Sequence, residues 1–248
     1  MVRGEKNRQP VSTDAESGAG SRVGAVIIAV PADEAERSDP AWYDLAGTPV
    51  VARSVRAFEQ SDRMDQIVLV VAKTRQADAS ALRQAQGWRR TRVVVGGPLW
   101  HDALVAGLDA LGSACQWVVI HEGNRPLVTS VLIEATIEGA RTVGAASAGE
   151  PVKDTIKRVT GGFIVETPPR AHLAQLQTPQ VFDRAWLASV CPSFPPERAP
   201  GREAALAGAA GFSVRVVAGS PDNLSVRTLD DLALARHIIQ WHGGVATG

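Results

Sequence analysis

Five continuous apolar runs of strand length constrain the fold of this chain more than any other feature. They are GAVIIAV (Gly24 to Val30), QIVLVVA (Gln66 to Ala72), RVVV (Arg92 to Val95), WVVI (Trp117 to Ile120) and TVGAAS (Thr142 to Ser147). Runs without polar alternation suit strands buried on both faces, and something must cover both faces. Helical stretches between the runs supply that cover, at Pro49 to Gln60, Asp78 to Gln86, Trp100 to Leu111 and Thr129 to Ala140. Thr129 is placed to cap the last of these, and Gly139 falls near its end. The alternation predicts an α/β fold, a doubly wound and mostly parallel sheet with ligands at the ends of its strands.

The segment from Pro151 to Arg170 breaks this rhythm. VKDTIKRVTGGFIVET reads as two β-type runs around a Thr160-Gly161-Gly162 turn, a hairpin inserted in an α/β domain. A lone hairpin is marginal in water, so it is expected to pack on something, with a second subunit the obvious candidate. Beyond it the pattern predicts a helix near Asp183 to Val190, a Pro-rich loop from Pro192 to Pro200, and a helix near Arg202 to Ala210. A strand around Val214 to Val217 follows, then a last helix from Thr228 to Trp241. Thr228 and Asp231 stand at capping-box spacing, and Gly243 and Gly244 close that helix. The expected organisation is a polar, disordered tail over 1–22, one domain over 23–243 with an arm at about 151–170, and a short tail over 244–248.

Lys plus Arg equals Asp plus Glu, 26 against 26, so no basic surplus exists to hold a polyphosphate backbone, and nucleic acid is not an expected partner. The run Val23 to Ala32 is far shorter than the roughly eighteen residues that span a bilayer, and the N-terminus has no apolar signal core. Cys115 and Cys191 have neither metal-ligand spacing nor a CxxC pattern. They fit a reduced, cytoplasmic setting and are expected to be buried or inert. The basic residues hide an asymmetry: only Lys6, Lys73, Lys153 and Lys157 are lysines, and the other 22 are arginines.

Five segments carry chemistry in order: GGPLWHDALVAGL (Gly96 to Leu108), HEGNRPLV (His121 to Val128), DTIKR (Asp154 to Arg158), QTPQVF (Gln177 to Phe182) and SPDNLSVRTLDDLALA (Ser220 to Ala235). Together they resemble the 2-C-methyl-D-erythritol 4-phosphate (MEP) cytidylyltransferase family, from about Val23 to the C-terminal helix. The resemblance implies a Rossmann-like nucleotidyltransferase fold, and CMP transfer from CTP to MEP, with Mg2+, in isoprenoid precursor biosynthesis. It also implies a Gly-rich loop after the first strand that wraps the triphosphate, followed by a lysine. Here that stretch is Pro31 to Gly47, without a glycine before Gly47, and Asp33, Glu34, Glu36 and Asp39 occupy it. Ala32 is the matching nucleotide contact, and only Arg37 answers for the family's arginine.

Other departures fall on the same half. The family's GGxxRxxS arginine and serine fall at Trp100 and Ala103, leaving Gly96 and Gly97 to shape the base pocket. Its second catalytic lysine falls at Ser225, with Arg227 two residues on as a possible substitute, although the two cations are not equivalent. Its acidic TDDA-type motif falls at Gly201, Arg202, Glu203 and Ala204. Losing one transition-state donor costs about 2.7–4 kcal/mol, on the order of 10²–10³ in rate, so weak or absent turnover is expected. The acceptor half is kept at Arg125, Thr155, Arg170 and Thr178, with Glu122 in place of the magnesium-binding aspartate. The resemblance further implies a dimer in which the arm crosses to the other subunit. That dimer is a homodimer, or a heterodimer in which this chain lends its arm to an active paralogue. Binding of another sugar phosphate is a further alternative.

Each of these residues also has a plainer reading. Arg125 and Arg170 read equally as ion-pair arginines, Thr155 as a strand residue, Thr178 as a turn residue before Pro179, and Glu122 as a loop carboxylate. The carboxylates of Asp33 to Asp39 read as a solvated loop, and the five histidines show no metal-ligand spacing. Trp42, Trp88, Trp100, Trp186 and Trp241 read as core or interface residues.

Overall fold

The computed structural model describes residues 21–30, 39–97, 99–191 and 213–245. Nine strands are present among these residues: β1 (Arg22–Ala29), β2 (Gln66–Val71), β3 (Thr91–Val95), β4 (Cys115–Glu122), β5 (Ala145–Pro151), β6 (Arg158–Thr160), β7 (Phe163–Glu166), β8 (Ala174–Asp183) and β9 (Arg215–Ala218). Seven of them form one sheet in the order β3-β2-β1-β4-β8-β5-β9, and β6 and β7 pair separately. Every strand of the large sheet runs parallel except β8, which lies antiparallel between β4 and β5. The expected mostly parallel α/β architecture is what the chain adopts.

Among the described residues the α-helices are α1 (Val50–Gln60), α2 (Gln76–Gln86), α3 (Trp100–Ala110), α4 (Ser130–Val143), α5 (Arg184–Val190) and α6 (Leu229–Val245). Side chains alternate across the apolar strands. Ala25 and Ile27 join Val51, Val55 and Ile133 in one core layer, while Val26 and Ile28 join Leu104, Leu108 and Leu187 in the other. Both faces are therefore covered, and each fully buried aliphatic side chain contributes roughly 1.5–3 kcal/mol. Trp88, Trp100 and Trp186 are buried as expected, whereas Trp241 is exposed. Cys115 and Cys191 are both buried and are not joined in a disulfide. Among the described residues no helix is long and apolar enough to cross a membrane.

Local chemistry explains the element ends. Thr129 caps α4 by accepting from the Leu132 amide at 3.3 Å. Thr228 and Asp231 form the expected reciprocal box, with Asp231 N–H donating to Thr228 Oγ1 at 3.1 Å and Thr228 N–H to Asp231 Oδ2 at 2.9 Å. Burial alone would raise the Asp231 carboxyl, but the amides of Arg227 and Thr228 and the Thr228 hydroxyl hold it below the usual carboxylate range. The hairpin forms with both Gly161 and Gly162 at positive φ (57° and 84°), the geometry that matches strand twist in a two-residue turn.

Several boundaries need correction. Gly139 does not end α4; the helix runs to Val143 and stops at Gly144, whose φ is 96°. A Cβ on Gly139 would come within 2.7 Å of Val217 Cγ1, so the glycine lets α4 lie close to β9. The fifth apolar run is shared between that helix and β5, because Thr142 and Val143 are still helical. Arg22 belongs to β1 rather than to the tail, and α6 continues through Gly243 and Gly244 to Val245. Residues 1–20 of the N-terminal tail, the loop Pro192 to Pro200 and the helix near Arg202 to Ala210 lie outside the described residues.

Candidate active site

In a parallel sheet the strand ends gather polar side chains on one side, and here they converge on the end of β4. Glu122, its last residue, and Arg125 form an ion pair through Oε2 and Nε, with only 7% and 8% of the two residues exposed. An enclosed pair of this kind holds when its remaining donors and acceptors are also met. Arg125 Nη1 donates to the Asn223 carbonyl at 2.8 Å. The Glu122 amide donates to Thr178 Oγ1 at 3.1 Å.

Thr178 reaches Glu122 because β8 is irregular at this point. Ser147 pairs with Gln180 and Ala148 with Gln177, so Thr178 and Pro179 have no partner on β5. Such bulges re-aim side chains. Thr178 is therefore a buried strand residue, not a turn residue, and its hydroxyl also lies 3.1 Å from His121 Nδ1. The other ring nitrogen, Nε2, is 3.2 Å from the Arg125 carbonyl. A carbonyl only accepts, so Nε2 carries the proton, Nδ1 accepts from the Thr178 hydroxyl, and the hydroxyl oxygen accepts the Glu122 amide. Burial lowers the His121 pKa to about 3; the Arg125 carbonyl opposes that shift and the Arg125 guanidinium adds to it. The ring is neutral at pH 7.

A second lock joins β8 to the loop before α6. Gln177 Oε1 accepts from Ser220 N–H at 3.3 Å, and Gln177 Nε2 donates to the Ser220 carbonyl at 2.8 Å. Those backbone groups fix the Gln177 amide, and with it Asn223, whose Nδ2 donates to Gln177 Oε1 and the Thr178 carbonyl at 3.1 and 2.8 Å. Asn124 and Val226 exchange two further bonds, 2.8 and 3.0 Å.

Beside these locks lies a cavity of about 650 Å³. Arg125, Lys153 and Arg227 are its cations, Glu150, Asp154 and Asp231 its carboxylates, and Ser225 is in its wall. Arg227 Nε lies 3.3 Å from Ser225 Oγ, so the guanidinium stem folds over the serine as the two-residue spacing suggests.

Of the expected acceptor residues, the fold brings together Glu122, Arg125 and Thr178. Thr155 and Arg170 are exposed at the base of the arm, where Arg170 Nη1 donates to the Lys153 carbonyl at 3.2 Å. Thr155 does not line the cavity, although Asp154 and Ile156 on either side of it do. Gly96 and Gly97 follow β3 and pack tightly on α3: a Cβ on Gly96 would meet Ala103 Cα at 2.9 Å, and one on Gly97 would meet the Asp102 side chain at 2.4 Å. Trp100 and Ala103 are both core residues of α3. Ala32 and Arg37 lie outside the described residues, as do Asp33, Glu34, Glu36 and Gly201 to Ala204. His121, Asn223 and Lys153 were not singled out from the sequence. His121 and Asn223 adjoin motif residues, and Lys153 is one of only four lysines.

Among the described residues no three His, Cys, Asp or Glu side chains are grouped to hold a metal. The Glu122 carboxylate is already held by a guanidinium, whose charge opposes a dication, so the described residues do not fit a resident magnesium ion.

This sheet, with its one reversed strand and its polar cavity at the strand ends, defines an α/β nucleotidyltransferase-like fold. It superposes on 4-diphosphocytidyl-2C-methyl-D-erythritol synthase from Anaerococcus prevotii with a TM-score of 0.80 at 23% identity, covering 90% of this chain and all of that one. The model of the 2-C-methyl-D-erythritol 4-phosphate cytidylyltransferase (IspD) family matches residues 23–241, and the chain belongs to that family. It is 34% identical over 221 residues to the cytidylyltransferase of Alkaliphilus metalliredigens, covering 86% of this chain and 92% of the relative. It is 37% identical over 200 residues to that of Halalkalibacterium halodurans, covering 80% and 87%. A 38% identical relative from Desulforudis audaxviator is a bifunctional IspD/IspF enzyme, of which this chain matches 50%.

Proposed function

We propose that this chain binds MEP in the cavity at the ends of β4, β5 and β9, and transfers CMP to it from CTP weakly or not at all. The observation that carries this reading is Ser225 in the cavity wall, at the position where the family resemblance calls for a lysine. The acceptor phosphate meets Arg125, Lys153 and Arg227, and Glu122, itself outside the cavity wall, holds the Arg125 guanidinium in place through its carboxylate. On the nucleotide side, the positions of the family's GGxxRxxS arginine and serine are Trp100 and Ala103, which are spent on the core. Gly96 and Gly97 remain to frame the base. Arg227 offers a cation but not a lysine's compact, rotatable one. The location that goes with this function is cytoplasmic.

Titration calorimetry and pyrophosphate release test this reading. MEP is expected to bind, Mg-CTP to give no heat at millimolar concentration, and pyrophosphate release to fall on the order of 10³ below a lysine-bearing relative. CTP binding with turnover near that of the relatives would overturn it, as would a thermal shift with other sugar phosphates but none with MEP.

A second reading is favoured by one observation. Phe163, Ile164 and Val165 on the arm are 77%, 64% and 56% exposed, an apolar surface that a second subunit would cover. We infer that the arm dimerises, placing Thr155 and Arg170 at the neighbouring subunit's cavity, either as a homodimer or by lending them to an active paralogue. Separate elution of this chain from such a paralogue, with no effect of Arg170→Ala on the paralogue's rate, removes the heterodimer.

A further inference from the structure

We propose a second anion site on this molecule, for a compact phosphate-bearing ligand, in the cleft between α2 and the free edge of β3. The cleft is about 350 Å³, and its walls carry Ser80, Arg83, Arg89, Arg90, Thr91 and Arg92, with no carboxylate among the described residues. A volume of that order suits a small ligand. It does not overlap the MEP cavity. Thr91 is in register with Ile67, Ala25 and Val119, while Glu122 lies three residues further along β4 and three strands across. At ordinary strand spacings that is about 14 Å across the sheet and about 10 Å along it.

The four arginines are not equivalent. Arg90 is a structural group, donating through Nη1 to the carbonyls of Ser61 and Met64 at 2.9 and 2.7 Å, with Glu59 at 3.9 Å. Arg83 is held in place by one bond, Nε to the Thr91 carbonyl at 2.6 Å, which satisfies an edge acceptor of β3. Arg89 and Arg92 are exposed, and their side chains make no hydrogen bond or ion pair among the described residues. Elsewhere arginines meet a carboxylate, as Arg63 does Glu138, Arg75 does Asp39 and Asp78, and Arg158 does Glu166, or bond to carbonyl and hydroxyl oxygens, as Arg53, Arg184 and Arg215 do, whereas the Arg89 and Arg92 side chains have neither and lie together in one cleft. The guanidinium groups of Arg83, Arg89 and Arg92, with no ion-pair partner among the described residues, repel one another, and a multivalent anion offsets that repulsion. Guanidinium forks match phosphate oxygens two at a time, which favours phosphate over a monovalent ion.

Amide chemical shifts of the full chain, followed during titration with inorganic diphosphate, phosphate and a sugar phosphate, test the proposal and tell free diphosphate from an organic phosphate. Residues 80–93 are expected to move and saturate with diphosphate or the sugar phosphate, and the response weakens as salt is raised. The Arg89→Ala, Arg92→Ala double variant breaks no internal bond, so it keeps the fold. It should weaken the response roughly tenfold or more. Arg227→Ala, in the other cavity, leaves it unchanged. Absence of any shift at residues 80–93, a shift that survives the double variant, or a response to an oligonucleotide alone overturns it. None of these outcomes depends on whether the chain turns over CTP.

Discussion

The residues matched to the acceptor divide between two regions that are built in opposite ways. At the end of β4, Glu122, Arg125 and Thr178 are buried and cross-linked to His121 and Asn223, so their positions follow from folding alone. At the base of the arm, Thr155 and Arg170 are exposed, and a single bond to the Lys153 carbonyl steadies Arg170. The first region is preorganised by its own core. The second depends on whatever the arm meets. The difference teaches that residues matched to one role by sequence do not share one energetic status in this chain: changes in the first region should register as stability, and changes in the second as function or association.

The largest contrast is expected between Arg125→Ala and Arg170→Ala. Removing Arg125 leaves a buried carboxylate unpaired, a loss of about 3–5 kcal/mol in denaturant unfolding, whereas Arg170→Ala should stay within about 0.5 kcal/mol. Equal losses would erase the division.

Acid provides the next test. His121 is neutral when folded, with a pKa of about 3 against 6.5 when unfolded. The unfolded chain therefore binds the extra proton, so this contribution is intact above pH 6.5 and is lost progressively as pH falls towards 3, by a few kcal/mol in total. Denaturant midpoints measured between pH 7 and 4 should show this slope, and His121→Gln should flatten it; an unchanged slope in that variant shows that another group is responsible.

Thr178→Val removes a hydroxyl that serves two buried partners and is expected to cost about 1–3 kcal/mol, while Thr155→Val costs almost nothing. Comparable thermal shifts for the two would place Thr155 in the preorganised set. The smallest effect on monomer stability is expected from Phe163→Ser, which loses no packing within the chain but moves sedimentation towards the monomer. A variant that sediments as the parent does would take the arm out of the interface.

Much of the sheet was legible because strands buried on both faces write themselves as apolar runs, and the Thr129 and Thr228 caps because a cap needs only neighbours in sequence. β8 was not legible as a strand. Its sequence, AQLQTPQVFD, is half polar and contains Pro179, which argues against a central strand. The chain accommodates the proline in the two-residue irregularity opposite Ser147 and Ala148, and the polar side chains bond to His121, Asn223 and Ser220. Those partners lie 43 to 57 residues away, and no local periodicity encodes them. Motif matching reached Glu122 and Arg125 but not their mutual pairing, because the spacing of three residues fixes proximity and not burial.

The arm has both feet in the sheet. Pro151 closes β5 and pairs with Ala174 at the start of β8, so the chain leaves and re-enters at adjacent positions on neighbouring antiparallel strands. Topologically, residues 152–173 are the enlarged loop of a β-hairpin. Lengthening or trimming such a loop changes closure entropy only slowly, and replacing it with a short turn would leave β5 and β8 paired as before. The arm is thus a graftable module, free to diverge in length and sequence while the register of the strands beneath it stays put.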